Sequence, residues 1–146
     1  MDAGVDFVLE SPSTRAVLLV EAKSTSAPSP EWAARLAQTL FAETSPQADL
    51  FFLLVLRNFL YLWKQIPRDG TELPDFSAKT EEALSPYLEK LQTPLKEINS
   101  IGFELLVKSL LTDLSEGSVP GAVEEWIRDA GLEQFENGGL REEQRN

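Results

Sequence analysis

Neither cysteine nor histidine occurs anywhere in this chain. Without cysteine there are no disulfides and no thiolate metal sites, which fits a reducing, cytoplasmic setting. Without histidine there are no Ser-His-Asp triads, Cys-His pairs, HExxH zinc hydrolases or histidine–metal nucleases. Any chemistry must run on carboxylates, lysine, arginine, hydroxyls or a borrowed cofactor. Apolar runs that would span a bilayer are missing as well. Residues 1–6 have no basic or apolar leader, so no signal peptide and no membrane association are expected. Basic residues are scarce: 13 Lys and Arg against 24 Asp and Glu give a net charge of −11. The first 70 residues carry eight acids and six bases, and the rest carry sixteen acids and seven bases. Phosphate-binding surfaces normally cluster Lys and Arg. The first half has enough bases for a local basic patch, whereas the second half repels phosphate.

What is present suffices for one domain. Apolar residues make up 42% of 146, enough for a single core. Val5 to Glu10 reads as a strand, Ser11 to Thr14 as a turn, and Arg15 to Lys23 as a second strand. Its run Ala16-Val17-Leu18-Leu19-Val20 is apolar on both faces, as in the middle of a covered sheet. Ser29-Pro30 reads as a cap and first turn, with a helix from Glu31 to about Glu43 closed by Thr44-Ser45-Pro46. Leu50 to Leu56 and Phe59 to Lys64 are strands joined by an Arg57-Asn58 turn. No proline falls within 13–27 or 47–66, as central strands require. The aromatic residues Trp32, Phe51, Phe52, Tyr61 and Trp63 are expected in the core. Arg57, Lys64 and Arg68 read as a solvated face, with a phosphate-contacting patch as the alternative.

The remainder reads as helical. Residues 67–78 form a polar linker and 79–137 a helical region. Ser85-Pro86 caps a short helix, Thr93-Pro94 caps a longer one, and a third covers 121–130. Residues 138–146 read as a frayed tail. The expected fold is α/β: a mixed four-stranded sheet flanked by helices, with an α-helical C-terminal region.

One constellation carries chemistry. If the first turn is centred between Ser13 and Thr14, strand partners sum to 27 and Asp6 faces Glu21. Two carboxylates opposed across adjacent strands repel, which a cation between them relieves. Period-2 alternation puts Glu21 and Lys23 on one face and Ala22 on the other. Two acids and an amine at a strand end suit metal-assisted phosphodiester hydrolysis. Mg²⁺ or Mn²⁺ takes hard oxygen ligands, and the lysine acts on the water nucleophile or the developing charge. As a purely structural arrangement, Glu21 and Lys23 form a surface salt bridge worth under about 1 kcal/mol.

Asp6, then Glu21-Ala22-Lys23 at the end of an apolar strand, then a helix and a further strand, resembles the PD-(D/E)xK nucleases. The nuclease domains of type I restriction subunits are the variety it most resembles. The resemblance covers roughly residues 5–64. It implies a restriction-endonuclease-like core in 1–66 and Mg²⁺ held by Asp6, Glu21 and the Ala22 carbonyl. It also implies a Lys23 that supports the attacking water and a helix glutamine, Gln38, at the site. Val5 stands where the family has proline, and Ala42 where an aromatic follows the helix glutamine. Only five residues precede Asp6, so the family's usual N-terminal helix is expected to be lacking here or supplied by another subunit. The expected activity is that of a DNA endonuclease-like domain that binds nucleic acid weakly on its own. The alternative is a catalytically inactive nuclease-fold protein that works through a protein partner or as a homodimer.

Overall fold

A computed structural model describes residues 5–41, 49–67 and 71–143. β1 (Phe7–Glu10) and β2 (Val17–Ala22) form an antiparallel hairpin pairing Phe7 with Val20, Val8 with Leu19, Leu9 with Leu18 and Glu10 with Val17. Partner numbers sum to 27, the register read from the symmetric turn. Ser11 tightens that turn, its Oγ accepting the Thr14 N–H at 3.2 Å. On the other side of β2, β3 (Leu50–Val55) runs parallel, pairing Glu21 with Leu54 and Ala22 with Val55. β4 (Phe59–Trp63) returns antiparallel to β3 through the Arg57-Asn58 turn.

α1 (Pro30–Leu40) makes the crossover between the parallel strands. Ser29 caps it, its Oγ accepting the Trp32 N–H at 3.2 Å. Ala33, Ala34 and Ala37 are buried without trace of exposure. Such small side chains let the helix lie close on Val8, Phe52, Leu54, Tyr61 and Trp63. The expected end of this helix at 44–46 and the start of its following loop lie outside the described residues. The opposite sheet face, built from Phe7, Leu9, Leu18, Val20, Leu53 and Leu62, packs under the C-terminal helices. Those are α2 (Thr80–Ala83), α3 (Ser85–Leu91), α4 (Ser100–Glu116) and α5 (Gly121–Asp129).

The sheet has six strands, not four, in the order β5-β4-β3-β2-β1-β6. β5 (Phe76–Lys79) begins inside the stretch expected to be a linker and pairs Leu62 with Phe76 and Phe59 with Lys79. β6 (Gly139–Glu142) falls in the expected frayed tail and pairs with β1, Leu9 opposite Leu140 and Phe7 opposite Glu142. Both are four-residue edge strands with short apolar signals: Phe76 and Ala78 alternate on β5, and Leu140 alone packs on the core from β6. Their order comes from backbone bonds to a preformed edge. Gly138 allows the return: a Cβ there would sit 2.3 Å from the Glu10 carbonyl oxygen.

The long C-terminal helix also starts later than expected. Pro94 leads into a 3₁₀ turn, Leu95–Glu97, and Ile98 is extended, with φ −88° and ψ 128°. The true cap is Asn99, whose Oδ1 accepts the Gly102 N–H at 2.8 Å. Arg57 explains the break. It belongs to neither a solvated face nor a phosphate patch. Its Nε donates to Ser24 Oγ at 2.9 Å and one terminal nitrogen donates to the Leu95 carbonyl at 2.9 Å. The other donates to the Ile98 carbonyl. The guanidinium carbon stands 5.4 Å from the centre of the Phe103 ring. Lys64 lies at the other end of the sheet, just past Trp63, which pairs with Phe52. Arg68 lies outside the described residues. No helix among the described residues is long and apolar enough to cross a membrane.

Two stability predictions follow from these contacts. Arg57→Ala strips donors from two carbonyls and should cost about 2–4 kcal/mol in urea unfolding. Arg57→Lys should recover only part of that, because a single ammonium cannot reproduce the fork. If Arg57→Ala unfolds like the parent, the clamp is incidental. The second concerns alkaline pH. Burial first, and then the hydrogen bond from Tyr87 Oη to Asp113 at 2.7 Å, hold the Tyr87 phenol far above its usual range. Burial, then the charge of Glu31, raises Tyr61 as well. A tyrosine whose folded pKa is raised gives stability that is complete below about pH 10 and lost above it. Unfolding free energy should therefore fall above about pH 10, and less steeply in Tyr87→Phe.

Candidate active site

The hairpin brings three expected residues near one another. The last described backbone bond between the first two strands runs from the Asp6 N–H to the Val20 carbonyl, at 2.9 Å. Its numbers sum to 26, so the regular pairing stops at Phe7–Val20 and the expected Asp6–Glu21 pair is not part of the ladder. Alternation lapses at the same point: Val5 packs in the cluster under α1, while Phe7 belongs to the opposite face. Glu21 and Lys23 keep to the face of Leu19, which packs against the cluster under α1. They lie at the carboxyl end of β2, beside the loop that leads into α1.

Their environments differ sharply. Glu21 is 1% exposed, in a strand whose other neighbours are aliphatic. This is not the surface ion pair of the structural alternative. Lys23 Nζ lies 3.8 Å from Glu21 Oε2, an ion pair beyond hydrogen-bond length, and the lysine side chain is 37% exposed. The amine therefore reaches from a buried carboxylate toward solvent. Asp6 is half-buried, and its Oδ2 accepts the Ala22 N–H at 2.8 Å. That contact ties the first acid to the residue between Glu21 and Lys23. The Asp6 carbonyl accepts the Glu143 N–H at 2.9 Å, so the C-terminal strand braces the same residue.

The loop after Lys23 is fixed from the β3–β4 turn. The Lys23 N–H donates to the Val55 carbonyl at 3.0 Å and the Arg57 N–H to the Thr25 carbonyl at 2.8 Å. Asn58 Oδ1 accepts the Ala27 N–H at 3.0 Å, and its Nδ2 donates to the Ala27 carbonyl at 2.6 Å. Arg57 and Asn58 are expected as turn residues, with Arg57 also on a solvated face; their long-range role has no local signature. Tyr61, expected as core, is buried in the same cross-strand row as Glu21, through Leu54. Its pKa is raised by burial and then by Glu31, an acid of the first turn of α1. Gln38 is half-buried on α1, and no hydrogen bond among the described residues joins it to Asp6, Glu21 or Lys23.

Two carboxylates and a backbone carbonyl are a sparse donor set. Among the described residues no group of three or more Asp, Glu, His or Cys is placed to hold a metal. Two carboxylates near one strand end nonetheless fit Mg²⁺ by donor type, since it commonly takes one or two and fills its octahedron with water and phosphate. No family model, curated protein or solved structure matches the chain.

The Asp6 geometry gives a graded test. Asp6→Ala leaves the Ala22 amide without its acceptor and should cost about 1–2 kcal/mol. Asp6→Asn keeps a carbonyl acceptor and should change stability by less than about 0.5 kcal/mol. Equal losses in the two variants, measured by thermal unfolding, would show that the Ala22 contact does not set the role of Asp6.

Proposed function

We propose that the chain is a metal-dependent nuclease-like domain of restriction-endonuclease type, hydrolysing phosphodiester bonds in DNA. The observation that carries this reading is the burial of Glu21, with Lys23 3.8 Å away and the Asp6 carboxylate bonded to the intervening Ala22 amide. A buried carboxylate is costly unless cations balance it. The lysine supplies one charge, and a divalent ion and its phosphate ligand account for the remainder of the arrangement. Asp6, Glu21 and the Ala22 carbonyl would hold Mg²⁺ or Mn²⁺. When bound, the ion supplies Lewis-acid polarisation of the phosphoryl oxygen and a more acidic water.

The chain's own residues have separate tasks. Asp6, anchored by the Ala22 amide, fixes the distance between the strands where the phosphate enters. Glu21 cannot swing away, because the sheet and α1 enclose it. Lys23, half out of the protein, orients the attacking water and balances charge on the phosphorane-like transition state. The acidity of the second half limits affinity, so binding to nucleic acid should be weak and strongly salt-dependent.

The test combines metal binding with cleavage. Mn²⁺ titration calorimetry should show binding in the parent chain and none in Asp6→Ala/Glu21→Ala. Lys23→Ala should keep binding and lose cleavage of single-stranded, duplex or branched DNA at low salt. Calorimetry that cannot distinguish the parent from the double variant would make the trio structural. Cleavage that survives in Lys23→Ala would mark a contaminating nuclease.

A second reading is favoured by a different observation. Three of the four exposed large apolar residues among those described, Leu91, Ile101 and Leu105, lie on the acidic helical layer. Such a patch marks a protein contact. On that reading the nuclease-type core is catalytically silent and the chain acts by association. Metal binding without cleavage on any substrate, by a chain that associates, would select it.

A further inference from the structure

We infer that the outer face of α4 is the interface of a homodimer, occupied by α4 of a second copy running antiparallel. This inference is independent of whether the Asp6–Glu21–Lys23 cluster acts on phosphodiesters. α4 buries Phe103, Leu106, Val107, Leu110, Leu111 and Leu114 against the sheet. Its outer side should then be polar throughout, as a helix at a protein surface normally is. Instead Ile101 is 73% exposed and Leu105, one turn on, is 56% exposed. Leu91, at the end of α3, adds a third apolar side chain at 54% exposure. Between α3 and α4 lies an open, mainly apolar groove of about 670 Å³ floored by Tyr87 and Leu106 and walled by Leu91 and Leu105.

The charges on this face select the occupant. Glu104 and Lys108 lie on α4 four residues apart, side by side along one edge of the apolar pair. In an antiparallel crossing about a two-fold axis level with Leu106, Glu104 of each copy comes opposite Lys108 of the other. A two-fold contact is self-complementary, so the attraction occurs twice. A parallel crossing would bring like charges together at the same level. Lys108 also pairs with Glu142 at 2.8 Å, but both side chains are about half exposed and such a pair is weak. The acidic surround disfavours a generic acidic partner. A second copy brings its own lysine at the point where the first presents its glutamate. The same crossing sets the exposed Ile101 of one copy against the Ser109–Thr112 end of the other's groove.

Sedimentation velocity on the full chain tests this, from about 1 to 100 µM, the range in which a dissociation constant near 10 µM is read. The parent should sediment as a dimer at the upper end. Leu105→Glu, at an exposed site that leaves folding intact by circular dichroism, should be monomeric throughout. Ile101→Lys should weaken association at least tenfold. Glu104→Lys alone should also weaken it, and Glu104→Lys/Lys108→Glu should restore it. A parent that stays monomeric at the highest concentration overturns the inference. So does a dimer untouched by Leu105→Glu, or a double exchange no better than the single one.

Discussion

Strand β2 lies inside the sheet, with Leu18, Val20 and Glu21 buried and Val17, Leu19 and Ala22 partly so. β1 and β3 occupy its two edges, α1 covers one face and the C-terminal helices the other. A strand so placed must be apolar on both faces, and Val17 to Val20 obey this. Glu21 breaks it at the last buried position, where an ionised side chain is most difficult to accommodate. The rest of the site depends on that burial. Lys23 lies near because the pleat returns it to the same face, and Asp6 lies near because its carboxylate takes the Ala22 amide.

The surroundings of that carboxylate are held by backbone contacts from distant parts of the chain. The Asp6 carbonyl takes the amide of Glu143, and its carboxylate takes the amide of Ala22. The loop after Lys23 is bound by Arg57 and Asn58, and Arg57 is bound in turn to the Leu95 and Ile98 carbonyls. The helical region is therefore part of the scaffold of the site and not an appendage. A rigid frame around a buried charge is what a preorganised electrostatic site requires.

Net charge is unevenly spread over the molecule. The sheet end with Lys23 belongs to the nearly balanced half, while most of the excess acid lies beyond residue 70. On the acidic side the exposed residues of α4 are not uniformly charged, and the apolar pair Ile101–Leu105 runs beside Glu104 and Lys108. The proposed site and the proposed interface are thus carried by different layers, the first beside the loop into α1 and the second on α4.

Local sequence determined the central hairpin, its register from Phe7–Val20 to the turn, the capped α1, the β3–β4 pair and the nearness of Glu21 to Lys23. These rest on period-2 and period-3.6 apolar patterns and on turn and cap residues, all of which act within a few positions. Tertiary structure alone decided the rest. β5 and β6 are four residues each, with Phe76 and Ala78 on one and Leu140 on the other as their only core contacts, too short a pattern to read before the neighbouring strand is in place. Asn99, not Thr93, begins α4, because Arg57, more than forty residues earlier in the chain, claims the Ile98 carbonyl. The burial of Glu21 was equally illegible. A carboxylate after an apolar run reads as a strand emerging into water, and only the packing of α1 and the flanking strands keeps water away.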